Sequence, residues 1–222
     1  MAHRRDFPHF ANREAAGLAL SALVGEYARR RDVVVLGLPR GGVPVALVVA
    51  RGIAAPLDIC LVRKIAAPWD PELALGAIAS GGVIEWNELL LEKVQPVQEM
   101  LSTAIDRARQ DLVRGEEAYR AGVPALVLSR QIVIVVDDGL ATGASMRAAV
   151  ISVSAQHPAK VVVAVPVGPR AACTQLDLYA DEVICARMPD PFVAVGDSYI
   201  DFRQVDDAEV RAALAASAQR HT

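Results

Sequence analysis

The chain has 222 residues, 53% of them hydrophobic, and 26 acidic side chains against 23 Lys and Arg. Its mean hydropathy is +0.30 and its pI ≈ 5.8. That balance excludes disorder and leaves no basic excess for nonspecific binding to nucleic acid. The longest uncharged runs, such as Leu73 to Ile84, reach 12 residues, short of the roughly 18 a membrane span needs. At about 150 residues per domain, the length reads as one domain with an insertion. The basic start, Met1 to Arg5, is not followed by an apolar stretch, so no secretory signal is expected and the protein is placed in the cytoplasm. The cysteines Cys60, Cys173 and Cys185 form no CxxC pair and read as inert thiols.

In chain order, Asn12 is a candidate cap for a helix whose apolar stripe is Ala16, Ala19, Leu20, Leu23 and Tyr27. Five β-branched runs follow: Val33 to Leu38, Leu57 to Val62, Ile132 to Val136, Val161 to Val165 and Glu182 to Cys185. They lack clean alternation, as strands covered on both faces do. A helix is expected over Val43 to Arg51, another on Leu101, Ala104, Ile105, Ala108 and Leu112, and another from near Ser145 with Met146, Ala149, Val150 and Val153 on one face. This alternation predicts an α/β domain with a mainly parallel five-stranded sheet. The 69 residues between Val62 and Ile132 exceed one crossover helix, and Ser80-Gly81-Gly82 between two apolar stretches predicts a hairpin inserted there.

The most informative segment runs from Ile132 to Ser145. A strand leads into Asp137 and Asp138, then into Gly139-Leu140-Ala141-Thr142-Gly143-Ala144-Ser145, then into a helix. Small residues let backbone N–H groups approach an anion, the helix N-terminus adds partial positive charge, and Thr142 and Ser145 add hydroxyls. Carboxylates beside a phosphate would repel it unless they face hydroxyl groups, and two adjacent carboxylates can accept from both hydroxyls of a diol. A phosphate next to a diol describes ribose 5-phosphate. Asp138-Gly139 alone is a hairpin signal, but a helical stripe follows it instead of a second strand. No Gly-Lys-Ser/Thr and no GxGxxG occurs, which excludes a Walker A loop and a dinucleotide fingerprint.

Val135 to Gly143 resembles the ribose-phosphate signature of the type I phosphoribosyltransferases. Leu38-Pro39-Arg40-Gly41-Gly42 resembles that family's pyrophosphate loop, and Val62-Arg63-Lys64 ends the second strand just before the family's closing loop, here containing Trp69, Asp70 and Glu72. The stretches Leu36 to Ala46 and Val62 to Ile65 also resemble an uncharacterised bacterial subgroup of predicted phosphoribosyltransferases, over about Asn12 to Asp207. The resemblance implies a Rossmann-like sheet in a single domain, residues 1–222, with a flexible loop or hairpin at about 63–95 and a hood at about 186–205.

It also implies transfer of ribose 5-phosphate from phosphoribosyl pyrophosphate to a nitrogen acceptor such as a nucleobase, with Mg²⁺, and a homodimer. Asp137, Asp138 and Lys64 would be catalytic. Residues 139–145 would hold the 5-phosphate, and Arg40, Gly41, Gly42, Arg63 and Lys64 the pyrophosphate. Cations and backbone N–H groups at strand ends suit a diphosphate independently of the resemblance. A surface turn at Arg40 to Gly42 and a solvated pair at Arg63-Lys64 stay open as alternatives. Within Met188 to Phe202, the residues Phe192, Val193, Tyr199 and Phe202 are candidates to stack on the acceptor, or else pack the end of the domain. Pro166 to Arg170 falls at the same sheet edge. None of the four histidines joins a catalytic set, and no Gly-x-Ser-x-Gly elbow occurs. A phosphoribosyl pyrophosphate sensor and a phosphoribosyl hydrolase are the rival readings.

Overall fold

The computed structural model describes residues 9–219 except 121 and 123, so His3, His221 and the basic start lie outside the described residues. The elements run α1 (Arg13–Leu23), β1 (Val33–Gly37), α2 (Gly42–Ile53), β2 (Leu57–Ile59), β3 (Val62–Ala67), β4 (Asp70–Ala79), β5 (Ile84–Trp86), α3 (Glu88–Val94) and α4 (Gln98–Arg120). There follow β6 (Ile132–Val136), α5 (Ala144–Ser154), β7 (Lys160–Val167), α6 (Arg170–Leu176), β8 (Glu182–Arg187) and α7 (Asp207–Ala218).

Five strands form one parallel sheet in the order β2-β1-β6-β7-β8. Residues of one parity, such as Val33, Val35, Ile134, Val136, Val162 and Ala164, pack under α1 and α2. Those of the other, such as Val34, Leu36, Val133, Val135, Val163 and Val165, pack under α5 and α6. Strands apolar at every position thus bury two faces, which is why no alternation shows in the sequence. Each fully buried Val or Leu contributes about 1.5–3 kcal/mol of transfer free energy.

Asn12 caps α1, its side chain accepting from the Ala15 N–H at 2.9 Å. Ala16 and Leu20 of the expected stripe are buried, but Leu23, at the helix end, is 50% exposed. Helix α1 lies on α2 through Gly17, where a Cβ would meet Val48 Cβ at 2.6 Å. On α4, Ala104, Ala108 and Leu112 are buried as expected. Burial pushes the Cys60 thiol up to about 12, which keeps it protonated.

The second strand departs from expectation. It ends at Ile59, and Val62 opens a separate antiparallel sheet in the order β3-β4-β5. Arg63 and Lys64 therefore sit on β3, not at the tip of a large-sheet strand. Cys60 N–H still donates to Gly37 C=O at 3.1 Å, but Leu61 turns to Ser80, receiving and returning hydrogen bonds of 2.8 and 2.9 Å. The expected Gly-rich turn joins β4 to β5, with Gly81 and Gly82 at φ 95° and 83°. Trp69 and Asp70 fall at the β3–β4 turn, and the Glu72 side chain lies outside the described residues. Among the described residues no helix is long and apolar enough to cross a membrane.

Candidate active site

From β1 the chain next adds β2 on one side, then returns to place β6 on the other. The order of the sheet reverses between β1 and β6, and ligands of open α/β sheets bind beyond the carboxyl ends of strands at such a point. The loop after β1 is Leu38 to Gly41 and the loop after β6 is Asp137 to Gly143, the two segments singled out by the sequence.

The loops interlock. Leu38 N–H donates to Val136 C=O at 2.9 Å, and Gly42 N–H to Leu38 C=O at 3.0 Å. A Cβ at Gly41 would fall 2.0 Å from Asp138 Oδ2, and one at Gly42 would fall 2.8 Å from both Asp137 Cα and Val136 O. Any side chain at either position would drive the loops apart, so glycine here serves close approach.

The loop from Gly139 to Ser145 is anchored by Leu140. That side chain is buried in the core, and its N–H donates to Val167 C=O at 2.8 Å. Gly139 has no room for a Cβ against Val195 and Val167. Ala141, Thr142, Ala144 and Ser145 are exposed. Gly143 takes φ 77° and opens α5 without a side-chain cap, so the helix N-terminus faces outward over small residues, a geometry that suits an anion.

Asp137 and Asp138 retain partial exposure while protein encloses them elsewhere. Asp137 accepts the Asp138 N–H at 2.8 Å. Desolvation, then the neighbouring Asp138 charge, holds the Asp137 carboxyl well above the usual carboxylate range. Asp138 is raised by desolvation, and the Arg13 guanidinium opposes that rise. Arg13 donates from Nε and Nη2 to Asp138 Oδ2 at 2.9 and 2.7 Å, and from Nη1 to Arg203 C=O at 2.7 Å. Its guanidinium lies 4.1 Å from the Phe202 ring centre.

Arg13, Arg40, Gly41, Asp138, Phe202 and Gln204 are among the residues lining a cavity of about 350 Å³. The hood beside it is built from both ends of the described chain. Phe10 N–H donates to Ser198 C=O and Ile200 N–H to Phe10 C=O, each at 2.8 Å. Tyr199 is 6% exposed, donates its hydroxyl to Asp138 C=O at 2.6 Å, and stacks on Phe202 at 4.9 Å. A buried phenol needs such a partner, so Tyr199 buttresses the acidic turn and Phe202 takes the cavity-facing position. Phe192 packs in the same cluster, whereas Val193 is 78% exposed.

Arg40 Nη1 lies 3.8 Å from Asp207, and Arg63 extends along α4 past Gly115 toward Tyr119. Tyr119 donates to Asp207 at 2.6 Å, so Arg40 and Tyr119 meet on one acidic side chain near the cavity, while Arg63 donates to the Val62 carbonyl at 3.3 Å. Lys64 does not join them. It lines a separate cavity of about 160 Å³ with Thr103, Arg107 and Asp111 of α4, because successive strand residues face opposite ways.

Sequence reasoning missed Arg13 and Gln204, whereas Phe202, one of its hood candidates, does line the cavity. Arg13 had one signal. It occupies the first position of α1, where the helix dipole disfavours a cation unless a carboxylate meets it.

Residues 11–203 match the phosphoribosyl transferase domain family. A protein of Mycobacterium tuberculosis, named as a putative phosphoribosyl transferase, is 42% identical over 206 residues, covering 92% of this chain and 46% of its own length. The chain thus spans about half the length of that curated relative. The crystal structure of the protein TT1426 from Thermus thermophilus is 41% identical, with a TM-score of 0.81, over 94% of this chain and 98% of that one. By its matched residues and by these relatives, the chain belongs to the phosphoribosyl transferase domain family.

Proposed function

We propose that the protein transfers ribose 5-phosphate from phosphoribosyl pyrophosphate to a nitrogen acceptor, a nucleobase in particular, and releases pyrophosphate. The observation that carries this reading is the interlock of the Arg40-Gly41-Gly42 loop with the Asp137-Asp138 turn at the reversal point of the sheet. That arrangement would place a diphosphate and a ribose side by side.

In this reading residues 139–145 hold the 5-phosphate by backbone N–H groups, the α5 N-terminus and the Thr142 and Ser145 hydroxyls. Asp137 and Asp138 take the ribose diol, and their charge favours the positive character that grows on the ring as the anomeric C–O bond breaks. Arg40 and Arg63 receive the pyrophosphate, which leaves with the bonding electron pair. The acceptor nitrogen forms the new C–N bond and loses its proton. Lys64 approaches the leaving group only if β3 shifts, and the segment 63–95 is the natural cover over it. Phe202 offers the acceptor an apolar ring edge, its two faces being covered by Arg13 and Tyr199.

Among the described residues, no group of three or more carboxylate, imidazole or thiol side chains comes together as a metal cage. Mg²⁺ usually takes only one or two protein carboxylates beside substrate oxygens and water, and Asp137 and Asp138 are the pair that would be at hand. Such an ion would enter with the diphosphate and take its other oxygens from the substrate and water.

The test is pyrophosphate release from phosphoribosyl pyrophosphate with Mg²⁺, over a panel of nucleobases and amines. Release that depends on one base supports transfer. Base-independent release indicates hydrolysis, and binding without turnover indicates a sensor. Asp137→Asn with Asp138→Asn should abolish turnover while the circular dichroism spectrum stays native, and unchanged turnover would sink the assignment.

A further inference from the structure

We propose that Arg13 is a positioning residue, one that aims and holds the Asp138 carboxylate for the ribose diol and ties the hood to the reaction site. The inference rests on the reading of Asp137 and Asp138 as diol receptors.

Three observations carry it. First, Arg13 directs two donors at one oxygen of Asp138, leaving the other oxygen clear of its guanidinium. A carboxylate held by one oxygen keeps its orientation and still has acceptor capacity for a hydroxyl. Second, Arg13 is itself fixed from three sides: by its place at the start of α1, by the Arg203 carbonyl at 2.7 Å and by the Phe202 ring at 4.1 Å. Its side chain is only 12% exposed. Third, α1 bears on α2 through Gly17, and α2 begins at Gly42 against Asp137. The cation is therefore mounted on the same rigid unit as the loop proposed to hold pyrophosphate.

Asp138 is faced by Arg13 from α1, by Asp137 from its own turn, by Arg40 across the cavity, and by Tyr199 from the hood, which donates to the backbone carbonyl. Among the described residues, Arg13 is the cation that hydrogen-bonds its carboxylate. A lysine would keep the charge but lose both the planar stack and the fork.

The test is calorimetric binding of ribose 5-phosphate by wild type, Arg13→Met, Arg13→Lys and Asp138→Asn, from acid to neutral pH, with thermal unfolding of each. Arg13→Met should bind about tenfold more weakly at neutral pH, as loss of a charged hydrogen bond implies. Its acid limb should move to higher pH, because a carboxylate without its cation protonates more readily. Arg13→Lys should bind more weakly than wild type but keep the wild-type limb. If Arg13→Met does not fold, the lysine variant decides alone. Wild-type affinity in Arg13→Lys, or an unmoved acid limb in a folded Arg13→Met, overturns the inference. Failure of wild type to bind, or full binding by Asp138→Asn, overturns the site reading and the inference with it.

Discussion

Among the described residues, two Asp–Arg pairs are withdrawn from water, and they are closed in different ways. Asp58, on the edge strand β2, accepts from Arg120 Nε at 3.1 Å, from the Ile59 N–H at 2.7 Å and from the Leu126 N–H at 2.9 Å. Two of its partners are backbone groups that no ligand displaces, and it locks the end of α4 to the sheet. Asp138 is met by an arginine side chain and by a like-charged neighbour, beside an open cavity. A carboxylate satisfied by backbone belongs to the fold. One left against another carboxylate retains a reason to bind something.

The largest expected effect breaks the first pair. Asp58→Ala leaves Arg120 only Glu116 and the Ile59 carbonyl and removes the acceptor of the Leu126 N–H, and it should lower unfolding free energy by about 1.5–3 kcal/mol in denaturant titration, with ribose 5-phosphate affinity of the folded protein unchanged. A loss of under about 1 kcal/mol, the range of exposed pairs, would refute the lock. At the second pair, Gly41→Ala forces a methyl onto Asp138 Oδ2. Overpacking on the scale of about 1–3 kcal/mol would weaken ribose 5-phosphate binding by about tenfold to a hundredfold in calorimetry.

Asp137→Asn sharpens the contrast through pH. A carboxyl whose folded pKa is raised contributes stability below its unfolded pKa of about 4, and that contribution is lost as pH rises through the folded value. Removing the charge should therefore raise Tm at neutral pH, with the gain vanishing in acid. A variant no more stable than wild type at neutral pH would mean the pair carries no repulsion. The smallest difference expected is between neighbours on β3. Arg63→Gln should weaken pyrophosphate binding about tenfold and Lys64→Gln scarcely at all, and the reverse order would show that β3 reorients on binding.

Much of this was legible in the sequence because local and global preferences agree. Four of the five β-branched runs supply strands of the large sheet and the fifth begins one there, and Asn12, Gly81 and Gly82 sit where their chemistry suits them. The strand–turn–helix from Ile132 to Ser154 is contiguous, so its spacing sufficed. What escaped depended on distance. Leu57 to Val62 is one apolar run, and its division at Cys60 is imposed by partners at Gly37 and Ser80. Tyr199 reads from the sequence either as a stacking ring or as packing for the end of the domain, and only its hydroxyl bond to the Asp138 carbonyl decides for packing. Arg13 and Asp138 are 125 residues apart, beyond any periodic signal.

The bridge between Phe10 and Tyr199 has a consequence for the order in which the protein assembles. Strand β1 with β2, and β6 with β7 and β8, can gather through successive βα units that each close a short stretch of chain, and the β1–β6 pairing that joins them spans 99 residues. The hood cannot, because the Arg13 to Arg203 contact spans 190 residues, and closure of so long a loop repays its entropy only after the rest is in place. The site is thus completed last in folding and surrendered first in denaturant. Binding competence should vanish at a lower concentration than the sheet's circular dichroism signal, leaving a range in which the protein is folded and blind.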